Sequence, residues 1–203
     1  MTCGDLLWVA RNTMSSQEKK IMKFHRLLLS AVLLSLSSLA LAQSDMAMPD
    51  AKKSDAQMSF DQLKTLAGSW EGRVSTVPPA AEIEGKAMQV TLRVTSMGNA
   101  IVHEMSGAGR PDHPVTMLYL SGGQLLLTHY CDAGNRPRMT GKMSADGKTV
   151  EFEFLDLDGG TQYGHMHHAV FTVIDANHHV EDWTYMQPGD KPVHAHFDLQ
   201  RVK

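Results

Sequence analysis

Histidine is the residue type with the widest chemical reach in this sequence, and its spacing is uneven. Seven of the eleven histidines lie in the last forty residues: three in "GHMHHAVF" (164–171), two in "NHH" (177–179) and two in "HAHFDL" (194–199). On an extended strand, side chains at i and i+2 share a face and lie about 6.5–7 Å apart. Two imidazoles at that spacing converge on one ion, so His-x-His on a strand is a metal half-site. His165/His167 and His194/His196 both have it, and His129/Cys131 pairs an imidazole with a thiol in the same way. His194 and His196, joined by the carboxylate of Glu181, form a two-histidine, one-carboxylate set with open positions. That set suits a divalent metal that activates water. The competing reading makes these residues the wet face of an ordinary sheet, with Phe171, Phe197 and Leu199 on its apolar side.

Other residues invite the same weighing. Arg136 and Arg138 alternate on one segment, either as a solvated face or as an anion clamp at a cavity mouth. Together with His129 and Trp183 they are the candidate ligand contacts. Cys131 reads as a small buried apolar residue, or as a nucleophile if His129 serves as its base. Glu151 and Glu153 have the i, i+2 spacing of paired carboxylates, but they lie on the polar side of an amphipathic segment, which argues against glycoside chemistry. No motif specifies a reaction, and no enzyme activity is assigned.

The elements that must position these residues are strands. From Ser69 onward apolar residues recur with period two, and turn residues interrupt them every eight to twelve positions. The expected strands are 69–77, 87–96, 99–106, 114–121, 124–131, 136–143, 148–155, 165–174, 178–186 and 192–202. Between them lie "SMGN", "SGGQ", "DAGNRP", "SADGKT", "DLDGG", "DANH" and "QPGDK", whose Gly, Asn and Asp tolerate the positive φ of tight hairpins. Ten antiparallel strands in succession predict an all-β, up-and-down barrel, since closure removes exposed edges. A β-sandwich is the alternative. Ahead of the strands, "SFDQLKTL" (59–66) predicts a short helix with Ser59 as N-cap and Gly68 as its stop.

Register decides which histidines meet. If Ile174 faces His179 and Met186 faces Lys191, then His194 opposes Trp183 and His196 opposes Glu181. His168, His179, Glu181, Trp183, His194 and His196 would then share one face, and His165 and His167 the other. A slip of one residue in either turn carries a whole set across the sheet.

Residues 22–42, "MKFHRLLLSAVLLSLSSLALA", have the three parts of a secretory signal peptide: basic Lys23 and Arg26, an apolar stretch, and Ala-x-Ala before Gln43. The apolar stretch is short for a membrane span, so no span is expected after cleavage. Residues 1–21 read as an over-called start, 43–58 as a flexible linker and 59–203 as the barrel domain. The expected location is secreted or periplasmic. Residues 1–42 hold five Lys/Arg and two Asp/Glu, so of the chain's 19 basic and 22 acidic residues the remainder keeps 14 and 20, a formal charge of −6. That balance attracts neither nucleic acid nor an anionic membrane by charge. Cys131 is the one thiol left after cleavage, so no internal disulfide is expected.

The stretch "FDQLKTLAGSWEG" (60–72) resembles the opening of lipocalin-like (calycin) barrels, especially the small ten-stranded bacterial kind grouped with nitrobindins. "GQLLLTHYCDAGNRPRM" (123–139) and "EDWTYM…HAHFDLQRVK" (181–203) look like segments of secreted, uncharacterised bacterial proteins of that sort. The resemblance implies a barrel whose floor is plugged by Trp70, with Gly68 and Gly72 allowing close backbone approach, and a cavity open at the other end. The aromatic-proline pattern that accompanies haem in nitrobindins is missing from "EGRVSTVPPAAEIEG", which argues against haem. A divalent metal remains the cofactor the histidines would accept. The function that follows is binding of a small ligand in the cavity. The alternatives are a metal-dependent enzyme or metal-binding protein and a structural or partner-binding envelope protein.

Overall fold

The structure, a computed structural model, describes residues 52–107 and 113–203. The proposed start, signal peptide and most of the linker lie outside the described residues. Among those described, no helix is long and apolar enough to cross a membrane.

Helix α1 (Asp55–Lys64) begins earlier than its apolar pattern suggests. Ser54 is its N-cap, with Oγ accepting from the Gln57 backbone N–H at 3.2 Å. A hydroxyl cap followed by Asp55 in the first turn supplies both an acceptor and a negative charge for the exposed N–H groups. Ser59, expected as the cap, is instead buried and donates to the Asp55 carbonyl at 2.8 Å. Residues 55–58, read as linker, are therefore helical.

All ten expected strands form: β1 (Gly68–Val77), β2 (Ala87–Thr95), β3 (Ala100–Gly107), β4 (Val115–Ser121), β5 (Gln124–Tyr130), β6 (Arg136–Met143), β7 (Thr149–Asp158), β8 (His165–Asp175), β9 (His178–Gln187) and β10 (Lys191–Arg201). Each pairs antiparallel with its neighbours in sequence, and β1 pairs with β10, so the sheet closes into a barrel rather than a sandwich. Period two does the sorting. Ile101, Leu118, Leu127, Met139, Phe152 and Phe171 point inward and are fully buried, while the residues between them form the outer surface.

One end is closed. Phe60, Leu63 and Leu66 of α1 and its following turn join the barrel core beneath Trp70. The Trp70 indole donates to the Leu66 carbonyl at 2.8 Å, and the Arg201 guanidinium lies over its ring, 4.0 Å from the centroid. Arg201 also donates to the carbonyls of Ala67 at 2.8 Å and Thr65 at 3.1 Å, tying the last strand to the end of the helix. Gly72 is required here: a Cβ on it would lie 1.9 Å from the Asp198 carbonyl oxygen, so only a residue without a side chain lets β1 approach β10 this closely. At Gly68 it is the φ of +144° that favours glycine.

The register at both C-terminal hairpins is one residue away from the trial pairing. Val173, not Ile174, opposes His179, and Gln187, not Met186, opposes Lys191. In the second hairpin, Gly189 and Asp190 both take positive φ, which fits a three-residue turn over 188–190. As a result Glu181 opposes Phe171 on β8 and Phe197 on β10, and all three are buried.

Candidate functional site

His103, His179, Glu181 and Trp183 meet inside the barrel. His179, Glu181 and Trp183 are alternate residues of β9, so all three point inward. His103 comes from β3 on the facing wall. Glu181 is fully buried, and its carboxylate accepts from three N–H groups: His103 Nε2 at 3.0 Å, His179 Nε2 at 3.0 Å and Trp183 Nε1 at 3.0 Å. Burial pushes the Glu181 carboxyl up, but the charge and hydrogen bond of His103 and the bond from His179 outweigh it. The group is held well below the usual carboxylate range and is ionised at neutral pH. His179 stands edge-on to Trp70 with ring centroids 4.2 Å apart, so the polar cluster rests directly on the barrel floor.

Above the cluster the barrel is hollow. A cavity of about 430 Å³ occupies the end opposite α1. Its wall is mostly aliphatic and methionine, with Val74, Met88, Met105, Met166 and Val193 among the contributors. Its buried polar part includes a row across three strands, because His103 of β3 opposes Thr116 of β4 and Thr116 opposes His129 of β5, while Tyr185, Asp132 and Gln187 are more exposed. Thr116 Oγ1 and His129 Nδ1 lie 2.8 Å apart. Trp183 stands beside both imidazoles, 5.7 Å from each ring centroid. Burial, helped by His103, pushes the His129 imidazole down to about 4, so it is neutral at physiological pH.

This sets a pH dependence. In the unfolded chain His129 takes up a proton near 6.5, but in the folded chain only near 4. The unfolded state therefore binds more protons between those values, and stability falls as the pH is lowered through that window. The expected loss is on the order of 3 kcal/mol. Urea unfolding at pH 7 and pH 4.5 should show a larger drop for the wild type than for His129→Gln. Equal drops would show that His129 titrates as it does in water.

The structure distributes the sequence-derived candidates unevenly. Trp183 and His129 line the cavity. Arg136 and Arg138 do not: each is exposed and paired along the outer wall, Arg136 with Asp158 at 2.6 Å and Arg138 with Asp156. Exposed pairs of this kind add little to stability, because solvent screens them. The set His194, His196 and Glu181 is not brought together. His194 opposes Thr184 and His196 opposes Asp182, with His194 Nδ1 at 3.1 Å from Thr184 Oγ1 and His196 Nδ1 at 2.6 Å from Asp182 Oδ1. Both histidines lie on the outer face, while Glu181 points inward, so the barrel wall stands between them.

His165 and His167 sit beside the Met166/His168 register shift in β8, with Nε2 and Nδ1 at 3.2 Å. Phe154 stacks on His167 at 4.8 Å, and burial with the nearby His167 pushes the His165 imidazole down. Cys131 lines the cavity, but His129 bonds to Thr116 rather than serving as its base, and burial pushes the thiol up. Among the described residues, Glu151, Glu153 and His168 form the group whose ligand atoms lie within 4.8 Å of one another. They sit on the outer face, where His168 is paired with Glu151 at 3.1 Å.

Two residues of the inner cluster, His103 and His179, were not singled out as site residues. The signal for His103 was present in "AIVHEMSG": it shares strand parity with Ile101 and Met105, and its neighbours Val102 and Glu104 take the other face. A histidine on the apolar side of a strand asks for a buried partner.

No protein-family model matches the chain, and no curated protein does. Solved structures resemble it at low identity. Rv2717c from M. tuberculosis matches with a TM-score of 0.50 at 15% identity, over 71% of this chain and 98% of that one. A protein of unknown function of the DUF3598 family from Nostoc punctiforme matches with a TM-score of 0.47 at 11% identity, over 69% of this chain and 49% of that one. The likeness to Rv2717c shows a shared barrel fold.

Proposed function

We propose that this chain is a lipocalin-like barrel, exported through the signal peptide at 22–42, that binds a small, mainly apolar molecule in its cavity. The hollow carries the reading. An interior of about 430 Å³ falls within the roughly 300–1,000 Å³ of small-molecule sites, and an apolar wall with a few placed polar groups is their usual make-up. A barrel that served only as a scaffold would fill that space with side chains, as the lower half does with Phe152, Phe171 and Leu127. The cluster around Glu181 supports the same reading. Its three donors are satisfied within the protein, so it fixes Trp183 and His103 as rigid parts of the cavity wall instead of presenting a reactive carboxylate.

The test is a titration of the purified protein with N-phenyl-1-naphthylamine, an uncharged apolar fluorophore. Saturable uptake of one molecule per chain is expected, with quenching of tryptophan emission because Trp183 lines the site. Unsaturable or absent uptake would overturn the reading.

A further inference from the structure

The cavity's charge inventory points to the class of ligand. We propose that it takes an uncharged molecule with one hydrogen-bonding group, docked against the His103–Thr116–His129 row. This rests on the reading of the hollow as a binding site.

Three observations carry it. First, the buried polar groups of the row are gathered, while Tyr185, Asp132 and Gln187 are more exposed. His103, Thr116 and His129 are direct cross-strand partners, all buried and all in the cavity wall, while the rest of the wall is mainly apolar. A ligand aligned by this row needs a polar group at one end and an apolar body for the remainder. Second, the row has bonding capacity left over. His103 gives Nε2 to Glu181, and its Nδ1 is buried with no hydrogen-bond partner among the described residues. Unmet polar atoms next to a cavity favour a partner supplied from within it.

Third, nothing in the described wall would neutralise an anion. Its lining includes no lysine or arginine. Glu181 places a negative group directly behind His103 and Trp183, bonded to both. Any proton charge on His103 is matched by Glu181. His129, with its ring shielded from solvent and its Nδ1 engaged by Thr116, is neutral at physiological pH. A carboxylate or phosphate placed here would lose its hydration and gain no cation. An amide, alcohol or carbonyl meets the imidazoles and hydroxyl as donor or acceptor without that cost.

The test compares near-isosteres. 2-Naphthamide and 2-naphthoate share shape and differ in charge, and both can be titrated calorimetrically into the wild-type protein at pH 7.5. The amide is expected to bind at least tenfold more tightly. A ratio below tenfold, or tighter binding of the naphthoate, would overturn the proposal. So would failure of both compounds to bind to protein that takes up N-phenyl-1-naphthylamine, because the polar row would then recognise nothing. Failure of the fluorophore itself would instead remove the reading beneath it, which keeps the two claims separable.

Discussion

Replacing Glu181 by alanine is expected to cost about 3–5 kcal/mol of folding stability. The carboxylate is fully buried and is the shared acceptor of His103, His179 and Trp183. Its removal leaves three N–H donors facing each other in a low-dielectric interior with no acceptor. An unsatisfied buried donor costs about 1–3 kcal/mol, and more if an imidazole keeps its charge. Glu181→Gln should fall between wild type and Glu181→Ala, because the amide keeps the shape and one acceptor but loses the charge. Urea unfolding at pH 7 gives these values, and the alanine variant should melt about 10 °C lower. A loss under about 1 kcal/mol would mean that the cluster is solvated rather than buried.

The second large effect belongs to the floor. Trp70→Ala is expected to destabilise by about 3–5 kcal/mol, in the range for deleting a buried indole. The change removes the bond to the Leu66 carbonyl, the ring beneath Arg201 and the edge contact with His179, and it opens a void between helix and barrel. Trp70→Phe should cost less, since it keeps an aromatic ring and loses the N–H. Denaturant unfolding checks the magnitude. The two variants should also leave probe uptake by the folded fraction almost unchanged, because Trp70 lies at the end away from the cavity. Loss of uptake in Trp70→Phe that matches no loss of folded protein would mean the floor and the cavity are not separate.

The barrel was legible in the sequence because its main signal is local. Alternation in segments such as 148–155 and 192–202 sets which side is buried, and Gly or Asp turns mark each reversal. The plug was legible through the resemblance of "FDQLKTLAGSWEG" to the opening of lipocalin-like barrels, which implies a floor filled by Trp70. Trp183 and His129 were placed among the ligand contacts, and both stand in the cavity wall.

The inner cluster was less legible, and register explains why. The three-residue turn at 188–190 and the irregularity at Val173/Asp175 each shift pairing by one residue. Those single steps separate Glu181 from His194 and His196, and set it against Phe171 and Phe197. Composition also misleads at this position. A carboxylate on a strand is ordinarily an outward residue, and it takes the approach of His103, 78 residues away in sequence, together with the bonds from His179 and Trp183, to hold Glu181 inside. That approach exists only once the barrel has closed. Arg136 and Arg138 misdirected for the opposite reason: paired cations near a barrel mouth fit an anion clamp, but Asp158 and Asp156 face them across β7.

The most direct measurement asks whether the space above Trp183 is where a guest resides. Ala195 lines the cavity and opposes Trp183, so Ala195→Phe would place a ring in the hollow beside the Trp183 indole. Titrating the variant with N-phenyl-1-naphthylamine, beside wild type, should show uptake at least tenfold weaker while the folded barrel remains intact by circular dichroism. Undiminished uptake by a properly folded Ala195→Phe protein would place the guest elsewhere and contradict the assignment of the cavity as the binding site.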